Sequence, residues 1–326
     1  MEKNKHTYDP ELNWIENFTK QFGGKVENNF VNMPKSIEPG IRYFLDCGGG
    51  ISVYYLDVVH TKNFNFILQC MSDDFIGIYY NLAEGENTVG WGDEIHEIGR
   101  WSYNLTIIDG SLEPEYKIKA GSRVYALCVF IKKNSIKEFL NNYKISFPSI
   151  DLVLDSSKNT IVKFDRMSNE SYHLLKDLRK LTVGEPVFNL NLIGTVKMLI
   201  ADYLKIMSSE RIIIEKVNKA DLAAIIESQK YLIEHLEDQF PSIIQLAEIA
   251  EMCESKYKTL FRKITGLTPN KFFMDNKLER AKEMLSEKQL SITEVSNLLG
   301  FKHSSYFTVK FKEVFGVSPK LFVEQL

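Results

Sequence analysis

A nine-residue stretch near the C-terminus of this chain occurs twice, about 50 residues apart. The first copy is Phe261-Arg-Lys-Ile-Thr-Gly-Leu-Thr-Pro269, and the second is Phe311-Lys-Glu-Val-Phe-Gly-Val-Ser-Pro319. In each copy the glycine supplies the left-handed residue that ends a helix. The next Thr268 or Ser318 can cap a new helix, and proline fits its first position. A short unit with matched start and stop signals is supersecondary structure used twice, and paired short helices with a turn are a common DNA-reading device.

The segments before the two copies also match. Ser242-Ile-Ile-Gln245 and Ser291-Ile-Thr-Glu294 both have the capping-box pattern. Apolar residues then recur at the spacing that helix-turn-helix packing requires. We predict two such units, in Ile243–Thr265 and Ile292–Phe315, bridged by a continuous helix Pro269–Ser286. The expected core residues are Leu246, Ala247, Ile249, Ala250, Tyr257, Leu260, Phe261 and Ile264 in the first unit, and Val295, Leu298, Leu299, Phe301, Phe307, Phe311, Val314 and Phe315 in the second.

The length of 326 residues indicates two domains, because single cores rarely grow beyond roughly 250–300 residues. The net charge of −3 is unevenly distributed. From Pro241 to Leu326 there are 13 basic and 10 acidic residues, so this region carries +3 and the remainder carries −6. A modest positive charge permits nucleic-acid binding without proving it.

The N-terminal half is rich in β-branched and aromatic residues. Several such runs without intervening helices predict an antiparallel sandwich or barrel, and Leu152, Val153 and the stretch Thr160–Phe164 are candidates for an added edge strand. The predicted strands are 51–59, 64–70, 75–80, 103–108 and 124–131.

The spacing of apolar residues becomes helical after this region. We predict helices over Asn169–Leu181 and Leu190–Met207, and the second carries a broad apolar face. That face either packs on the β domain of the same chain or pairs two copies of the chain. We predict a homodimer, with Leu192, Val196, Leu199 and Ile200 as the contacts.

The second unit carries the motif that relates this chain to a known family. Its residues Ile292, Val295, Ser296, Gly300, Phe301, Ser305, Tyr306, Phe307, Phe311, Lys312, Phe315, Gly316, Ser318 and Pro319 closely resemble the signature of the AraC/XylS family of bacterial transcription regulators. The resemblance covers about 105 residues, one third of the chain. It implies an α+β two-domain protein: an N-terminal antiparallel β barrel or sandwich (cupin-like) with helices, and an all-α C-terminal domain. The expected domains are 1–165 (β-rich, cupin-like sensor), 166–207 (helical dimerisation region), 208–220 (linker) and 221–326 (double helix-turn-helix).

The resemblance also implies where DNA would bind. Two recognition helices on one connector would enter successive major-groove faces about 34 Å apart. Once the core residues face inward, the exposed candidates are Ser255, Lys258, Thr259 and Arg262 on the first helix, and Ser304, Ser305, Thr308 and Lys312 on the second.

This chain departs from the family pattern at two pairs of positions. Family members often carry arginine at the positions that Thr259 and Val309 occupy in this chain. Neither threonine nor valine can make the bidentate guanine contact of arginine. Cys253 and His303 stand where the recognition helices usually have Ser or Asp as caps, so those helix starts depend on packing or on Ser255 and Ser304.

The expected function is a sequence-specific transcription regulator, in the direction of activation, whose N-terminal domain senses a small-molecule effector, dimerises, or both. In the alternative, that domain serves only dimerisation or protein–protein signalling. Double-stranded DNA, an unidentified effector, a second copy and RNA polymerase are the expected partners. Aromatic residues could line an effector cavity or simply fill the core: Tyr54, Tyr55, Phe66, Tyr79, Tyr80, Trp91 and Trp101.

The remaining features exclude other classes. The chain has no paired carboxylates, nucleophile elbow or clustered metal ligands, and His60 and His96 are isolated, so we expect no enzyme, cofactor or metal site. It shows neither a secretory signal nor an apolar run near the ~20 residues that span a bilayer. Four scattered cysteines fit buried reduced thiols in a cytoplasmic protein.

Overall fold

The computed structural model describes residues 4–70, 74–91, 94–110, 112–143, 162–209, 219–265 and 267–325. The chain separates into two compact units, Met1–Ile214 and Glu215–Leu326. The expected edge residues Leu152 and Val153 lie outside the described residues, as does most of the expected linker 208–220.

The N-terminal unit is a sandwich of two mainly antiparallel sheets. Its larger sheet has eight strands in the order β13-β10-β7-β12-β5-β4-β3-β2, and the smaller has five in the order β1-β6-β11-β8-β9. This is the cupin-like sandwich form of the expected fold. The strands are β1 Asn4–Tyr8, β2 Lys25–Glu27, β3 Phe30–Asn32, β4 Gly40–Gly48, β5 Ile51–Val59, β6 Phe64–Cys70, β7 Phe75–Asn81, β8 Asn87–Trp91, β9 Glu94–Glu97, β10 Leu105–Asp109, β11 Glu115–Ile118, β12 Arg123–Lys132 and β13 Val162–Asp165.

The predicted strands are present: 51–59 and 64–70 have the predicted bounds, and the other three shift by one or two residues at one or both ends. β13 overlaps the stretch Thr160–Phe164 that was expected to add an edge, and it pairs antiparallel with β10 at the border of the larger sheet. The prediction missed β2, β3 and β4 of the larger sheet, and also β1, β8, β9 and β11 of the smaller sheet. Its β1 pairs in parallel with β6, so Asn4 lies opposite Phe66 across about 60 residues of chain. Such a non-local pairing leaves no local signal.

The larger sheet has two buried faces, and consecutive residues of its central strands alternate between them. Tyr55 and Tyr80 lie on the face covered by helices. Tyr54 and Tyr79 lie on the face toward the smaller sheet, with Phe66 of that sheet. The aromatic residues expected around a single cavity therefore divide between two cores. Trp101 is half-buried beneath the guanidinium of Arg100, 4.8 Å from its ring.

Four helices accompany the described strands of this unit: α1 Trp14–Gln21, α2 Lys133–Tyr143, α3 Asn169–Arg179 and α4 Pro186–Ser209. The first two were not expected. α3 begins at a Ser168 cap, whose hydroxyl accepts a hydrogen bond from the Ser171 N–H. α3 and α4 cover the larger sheet with fully buried side chains, Leu175, Leu178, Phe188, Leu192, Val196 and Leu199.

The packing of α4 corrects the expected dimer contacts. Leu192, Val196 and Leu199 are completely buried against the sheet of their own chain, and the Tyr80 hydroxyl donates a hydrogen bond to the Leu199 carbonyl at 3.1 Å. Ile200 is half-buried against the same core. Leu192, Val196 and Leu199 are therefore unavailable to a second copy. By length and apolar composition, the segment Pro186–Leu204 could also cross a membrane, contrary to expectation, but one of its faces packs on the sheet.

A buried ionic cluster lies beside the core between the sheets. The Arg42 guanidinium donates to both carboxylate oxygens of Glu38 and to the Tyr54 hydroxyl at 3.0 Å, and His60 Nδ1 lies 3.0 Å from Glu38. Burial alone would raise the pKa of Glu38, but Arg42 holds it at about 2. Burial, assisted by the charge of Arg42, lowers the pKa of His6 to about 3, so its imidazole is neutral.

In the C-terminal unit, all regular secondary structure of the described residues is helical. The helices are α5 Lys219–Glu234, α6 Ile243–Ile249, α7 Glu254–Thr265, α8 Pro269–Ser286, α9 Ile292–Leu298, α10 Ser304–Phe315 and α11 Pro319–Glu324. The two predicted helix-turn-helix units and the unbroken helix between them are confirmed.

Candidate nucleic-acid interface

The first helix-turn-helix unit consists of α6 and α7. The predicted capping box is formed: the Gln245 N–H donates to the Ser242 hydroxyl at 3.2 Å, and the Ser242 N–H donates to the Gln245 side chain at 3.0 Å. Tyr257 and Phe261 of α7 are fully buried with Leu246 of α6. The Tyr257 hydroxyl is 2.6 Å from the Ser228 hydroxyl, which attaches the recognition helix to α5.

The second unit, α9 and α10, repeats this construction. Ser291 and Glu294 form the matching capping box at 3.2 and 2.8 Å. The buried Phe307 and Phe311 of α10 pack with Val295, Leu299 and Phe301. Gly316 ends α10 in the left-handed conformation at φ 77°, and its N–H donates to the Lys312 carbonyl, as its sequence predicts.

The turns of the two units differ in length by one residue. The capping serines are 49 residues apart, and so are Glu251 and Gly300, which both have positive φ. From Cys253 and His303 onward the separation is 50. The second turn thus holds an additional residue before its recognition helix. Its glycine accepts φ 63° without strain, whereas Glu251 adopts φ 51° with a side chain present.

The connecting helix α8 contributes to both units. Thr268 caps it through the Lys271 N–H, and Pro269 occupies its first turn. The Phe272 ring lies 5.5 Å from that of Phe261 in the first unit. Later residues of the same helix, Leu278, Ala281 and Leu285, belong to the core of the second unit.

Lys277 is a buried cation at the middle of this arrangement. Its ammonium donates to the Asp238 carbonyl at 2.6 Å and lies 4.8 and 5.3 Å from the ring centres of Phe273 and Phe301. Beside it, the Gln239 side chain donates to the Gly300 carbonyl. The segment before α6, the connecting helix and the second turn are therefore held together. Burial lowers the pKa of Lys277 to about 8, against an opposing effect of Asp238.

Three residues expected in the unit cores are exposed. Ile249 and Leu298, which end the first helix of each unit, face solvent, and so does Val314 near the end of α10. Leu260 is half-buried. Each stands at the border of its helix's apolar face, where spacing alone does not decide whether a side chain is covered.

The candidate DNA-binding residues occupy the recognition helices as follows. Ser255, Lys258, Thr259 and Arg262 are all exposed on α7. On α10, Ser305 and Lys312 are exposed, whereas Ser304 and Thr308 are half-buried. The Thr308 hydroxyl donates to the Ser304 carbonyl at 2.9 Å, and Thr259 makes the same bond to Ser255.

Further charged residues and one thiol lie on the recognition helices or directly before them. Lys310 pairs with Glu313 at 2.7 Å, and Lys256 pairs with Asp221 at 2.8 Å, so both are partly neutralised. His303 makes no capping bond with its side chain, as its poor capping ability predicts. Cys253, expected to be buried, is exposed. Hydrogen bonds from Ser255 and from backbone N–H groups at the start of α7 lower the pKa of its thiol.

Comparison with known proteins identifies the C-terminal unit. A family described as "Helix-turn-helix domain" matches residues 246–325. The probable transcriptional regulator LumQ of Photobacterium leiognathi is 24% identical over 161 residues, covering 49% of this chain and 61% of LumQ. The uncharacterized HTH-type transcriptional regulator YobQ of Bacillus subtilis is 36% identical over 108 residues, covering 33% of this chain and 43% of YobQ. The transcriptional activator RhaS of Escherichia coli is 30% identical over 92 residues, covering 27% and 33%.

Solved structures also resemble this chain. The DNA-binding domain of AdpA, solved with a target DNA, is 25% identical, covers 31% of this chain and 91% of its own, and has a TM-score of 0.30. ToxT of Vibrio cholerae is 13% identical and covers 87% of this chain and 98% of its own, at a TM-score of 0.30.

The C-terminal unit is a DNA-binding domain with two helix-turn-helix units. It is a domain of the AraC family. The chain spans less than two thirds of the length of each curated relative named above.

Lys277 generates a prediction about pH. Below about pH 8 this lysine is charged in both the folded and the unfolded state, and burying its charge destabilises the folded state. Between about pH 8 and its ordinary pKa of 10.5, the unfolded chain holds one more proton, so stability rises with pH. We expect the free energy of unfolding of the wild type to rise relative to Lys277→Met as the pH increases through this window.

Denaturant titrations followed by helical circular dichroism measure this difference. The three tryptophans, Trp14, Trp91 and Trp101, all lie in the N-terminal unit, so their fluorescence distinguishes unfolding of that unit. Lys320→Met, at an exposed lysine of α11, is the control and is expected to show no such trend. Parallel curves for the wild type and Lys277→Met would refute the assignment.

Proposed function

We propose that this protein is a cytoplasmic transcription regulator that binds double-stranded DNA in a sequence-specific manner. The observation that carries the proposal is the pair of helix-turn-helix units on one continuous helix. Because α8 contributes to both cores, α7 and α10 are presented together, as a reader of successive major-groove faces about 34 Å apart requires. In this proposal Ser255, Lys258, Thr259 and Arg262 contact one face, and Ser304, Ser305, Thr308 and Lys312 contact the next.

The chemistry of these residues suggests different roles. Lys258, in the first half of α7, can donate to base edges, whereas Arg262 and Lys312, in the last turns of their helices, suit phosphates. Ser305 offers an exposed hydroxyl on α10. The half-buried Ser304 and Thr308 are weaker candidates, because the Thr308 donor is already used within the helix.

DNA fragments selected from the source genome provide the test. We expect Lys312→Ala to weaken binding to all sequences similarly and to reduce the salt slope by about one, as loss of one phosphate contact does. Lys258→Ala should alter base preference in one part of the site, at a cost of roughly 1–3 kcal/mol. Lys320→Ala is the control. If Lys258→Ala loses affinity equally for selected and random DNA, Lys258 does not read bases. Failure to select any fragment would refute sequence-specific binding.

We propose activation as the direction of regulation, with RNA polymerase as a further partner. The support is that RhaS, which matches the DNA-binding domain, is named a transcriptional activator. Deleting the gene should lower transcription from promoters that carry the selected fragments. A rise in transcription would identify a repressor.

We propose that the protein forms a homodimer through the face of α4 that points away from its sheet. This face carries Val187, Leu190 and Met198, which are 64, 72 and 51% exposed, together with the exposed Gly194 and Ala201. At helical spacing these residues form one uncharged apolar stripe about 180° from the buried Leu192, Val196 and Leu199. Contiguous exposed apolar surface of this kind marks interaction sites.

The order of residues in the stripe favours a second copy in antiparallel orientation. If the two-fold axis passes near Gly194, Val187 of one copy faces Ala201 of the other, and Leu190 faces Met198. Large residues then meet smaller or flexible ones. A two-fold interface requires such self-complementarity. A Cβ placed on Gly194 would meet nothing within 4 Å, and the absence of a side chain allows two helices to approach closely.

Cysteine cross-linking tests this dimer. In a Cys253→Ser background, Gly194→Cys lies on the proposed two-fold axis and should form an intermolecular disulfide in high yield. Lys180→Cys, exposed at the end of α3, should not. Leu190→Glu should give a folded monomer in light scattering, with unchanged tryptophan fluorescence. A dimer that persists in Leu190→Glu would place the interface elsewhere.

We also propose that the N-terminal unit binds a small-molecule effector between its sheets. The support is unused hydrogen-bonding capacity in an aromatic environment: the Tyr116 hydroxyl and His6 Nδ1 are buried without a partner among the described residues. Phe64, Phe66 and Tyr79 belong to the same core. If the unit serves only dimerisation or protein signalling, no small molecule will stabilise it.

A thermal-shift screen read by tryptophan fluorescence separates these alternatives. We expect a compound that raises the unfolding temperature of the N-terminal unit and has a smaller effect on Tyr116→Phe, which lacks the hydroxyl. Tyr103→Phe, a tyrosine outside this core, is the control. An equal shift in Tyr116→Phe would place the compound elsewhere.

A further inference from the structure

Val309 is an exposed apolar residue at the centre of the second recognition helix. It lies one turn after Ser305 and one turn before Lys312, so the three share one face of α10. Phe307 and Phe311 on the other face are fully buried, whereas Val309 is 54% exposed. The residue therefore occupies the middle of the surface that a recognition helix presents to a groove.

The first recognition helix has a comparable group at the corresponding position. Thr259 stands 50 residues earlier, is also exposed, and is also β-branched. Its hydroxyl proton is donated to the Ser255 carbonyl at 2.9 Å, so Thr259 offers a methyl group and an acceptor rather than a free donor. Both helices thus carry a methyl-bearing side chain at the same place.

Neither stability nor solubility explains Val309. A β-branched residue at an exposed helix position is a poorer helix former than alanine or leucine, because its rotamers are restricted. It adds nothing to the core of its unit, and its methyl groups are partly in water. A contact made only in a complex accounts for it.

The edges of the bases in the major groove offer one kind of apolar partner. They present hydrogen-bond donors and acceptors, and in addition the C5-methyl group of thymine. Valine has no donor or acceptor, so it distinguishes bases only through that methyl group. We infer that Val309 is a specificity-determining residue that reads the C5-methyl group of one thymine in the half of the site bound by α10. This inference rests on the proposed DNA-binding function.

Removing single methyl groups from the DNA tests the inference. In a fragment selected by the full-length protein, each thymine is replaced in turn by deoxyuridine, which differs only by the C5-methyl group. We expect the wild type to lose about fourfold in affinity at one thymine, as burial of one methyl group predicts. Val309→Ala should bind the thymine fragment more weakly and show no difference between thymine and deoxyuridine at that position.

Two further variants make the result specific. Val309→Thr keeps one methyl group at the same place and should retain part of the discrimination. Val314→Ala removes the same atoms from another exposed valine of α10, five residues later and about 140° around the helix. It should leave the whole deoxyuridine profile unchanged.

The outcomes separate the inference from the function on which it rests. If Val309→Ala retains the full deoxyuridine profile of the wild type, Val309 does not read thymine, although DNA recognition stands. If Val309→Ala leaves DNA affinity unchanged altogether, Val309 makes no contact that contributes to DNA binding, and the inference is wrong. If the wild type binds no fragment selectively, the proposed function fails, and the inference fails with it.

Discussion

The C-terminal unit depends on one helix that belongs to two hydrophobic cores. The first half of α8 packs on the first helix-turn-helix unit through Phe272, and its second half completes the second unit through Leu278, Ala281 and Leu285. A rotation of either recognition helix about the connector would therefore open a core. Lys277, between Phe273, Phe301 and the Asp238 carbonyl, adds a polar attachment at the point where the two cores meet. This shared packing fixes the register between the two recognition helices.

The two units of the chain differ in how far local sequence determined them. Caps, a terminating glycine and a first-turn proline act within a few residues, so the bounds Pro269–Ser286 and Ser304–Phe315 could be predicted to the residue. In the N-terminal unit, β1 pairs with a strand some 60 residues away, and neither its partner nor its parallel direction is encoded nearby. The strands β5, β6, β7, β10 and β12 were predictable because they are rich in β-branched and aromatic residues, whereas β4 and most of the short strands of both sheets were missed.

The remaining errors share a physical origin. Helix α4 is apolar on two opposite sides, so its sequence could not show which side meets the sheet, and Leu192, Val196 and Leu199 were assigned to the wrong partner. Border positions such as Ile249, Leu298 and Val314 satisfy the apolar spacing and are nevertheless exposed. The prediction of recognition-face residues has the same weakness. Thr308 is half-buried. Val309 was passed over because it is apolar, although it stands 50 residues after Thr259, at the corresponding position of the repeat.

The additional residue in the second turn makes the two helix-turn-helix units unequal. Before the turns their separation is 49 residues, and after them it is 50. The recognition helices also carry different side chains at corresponding positions, Lys258 and Thr308 among them. Two identical readers related by a two-fold axis would accept a site in either orientation. A chain with two different readers has a polarity: turned end for end on the duplex, it would place each helix against the wrong bases. In the proposed function, a single molecule of this protein therefore encodes a direction along DNA, which a promoter needs and which a two-fold symmetric pair of helices could not supply.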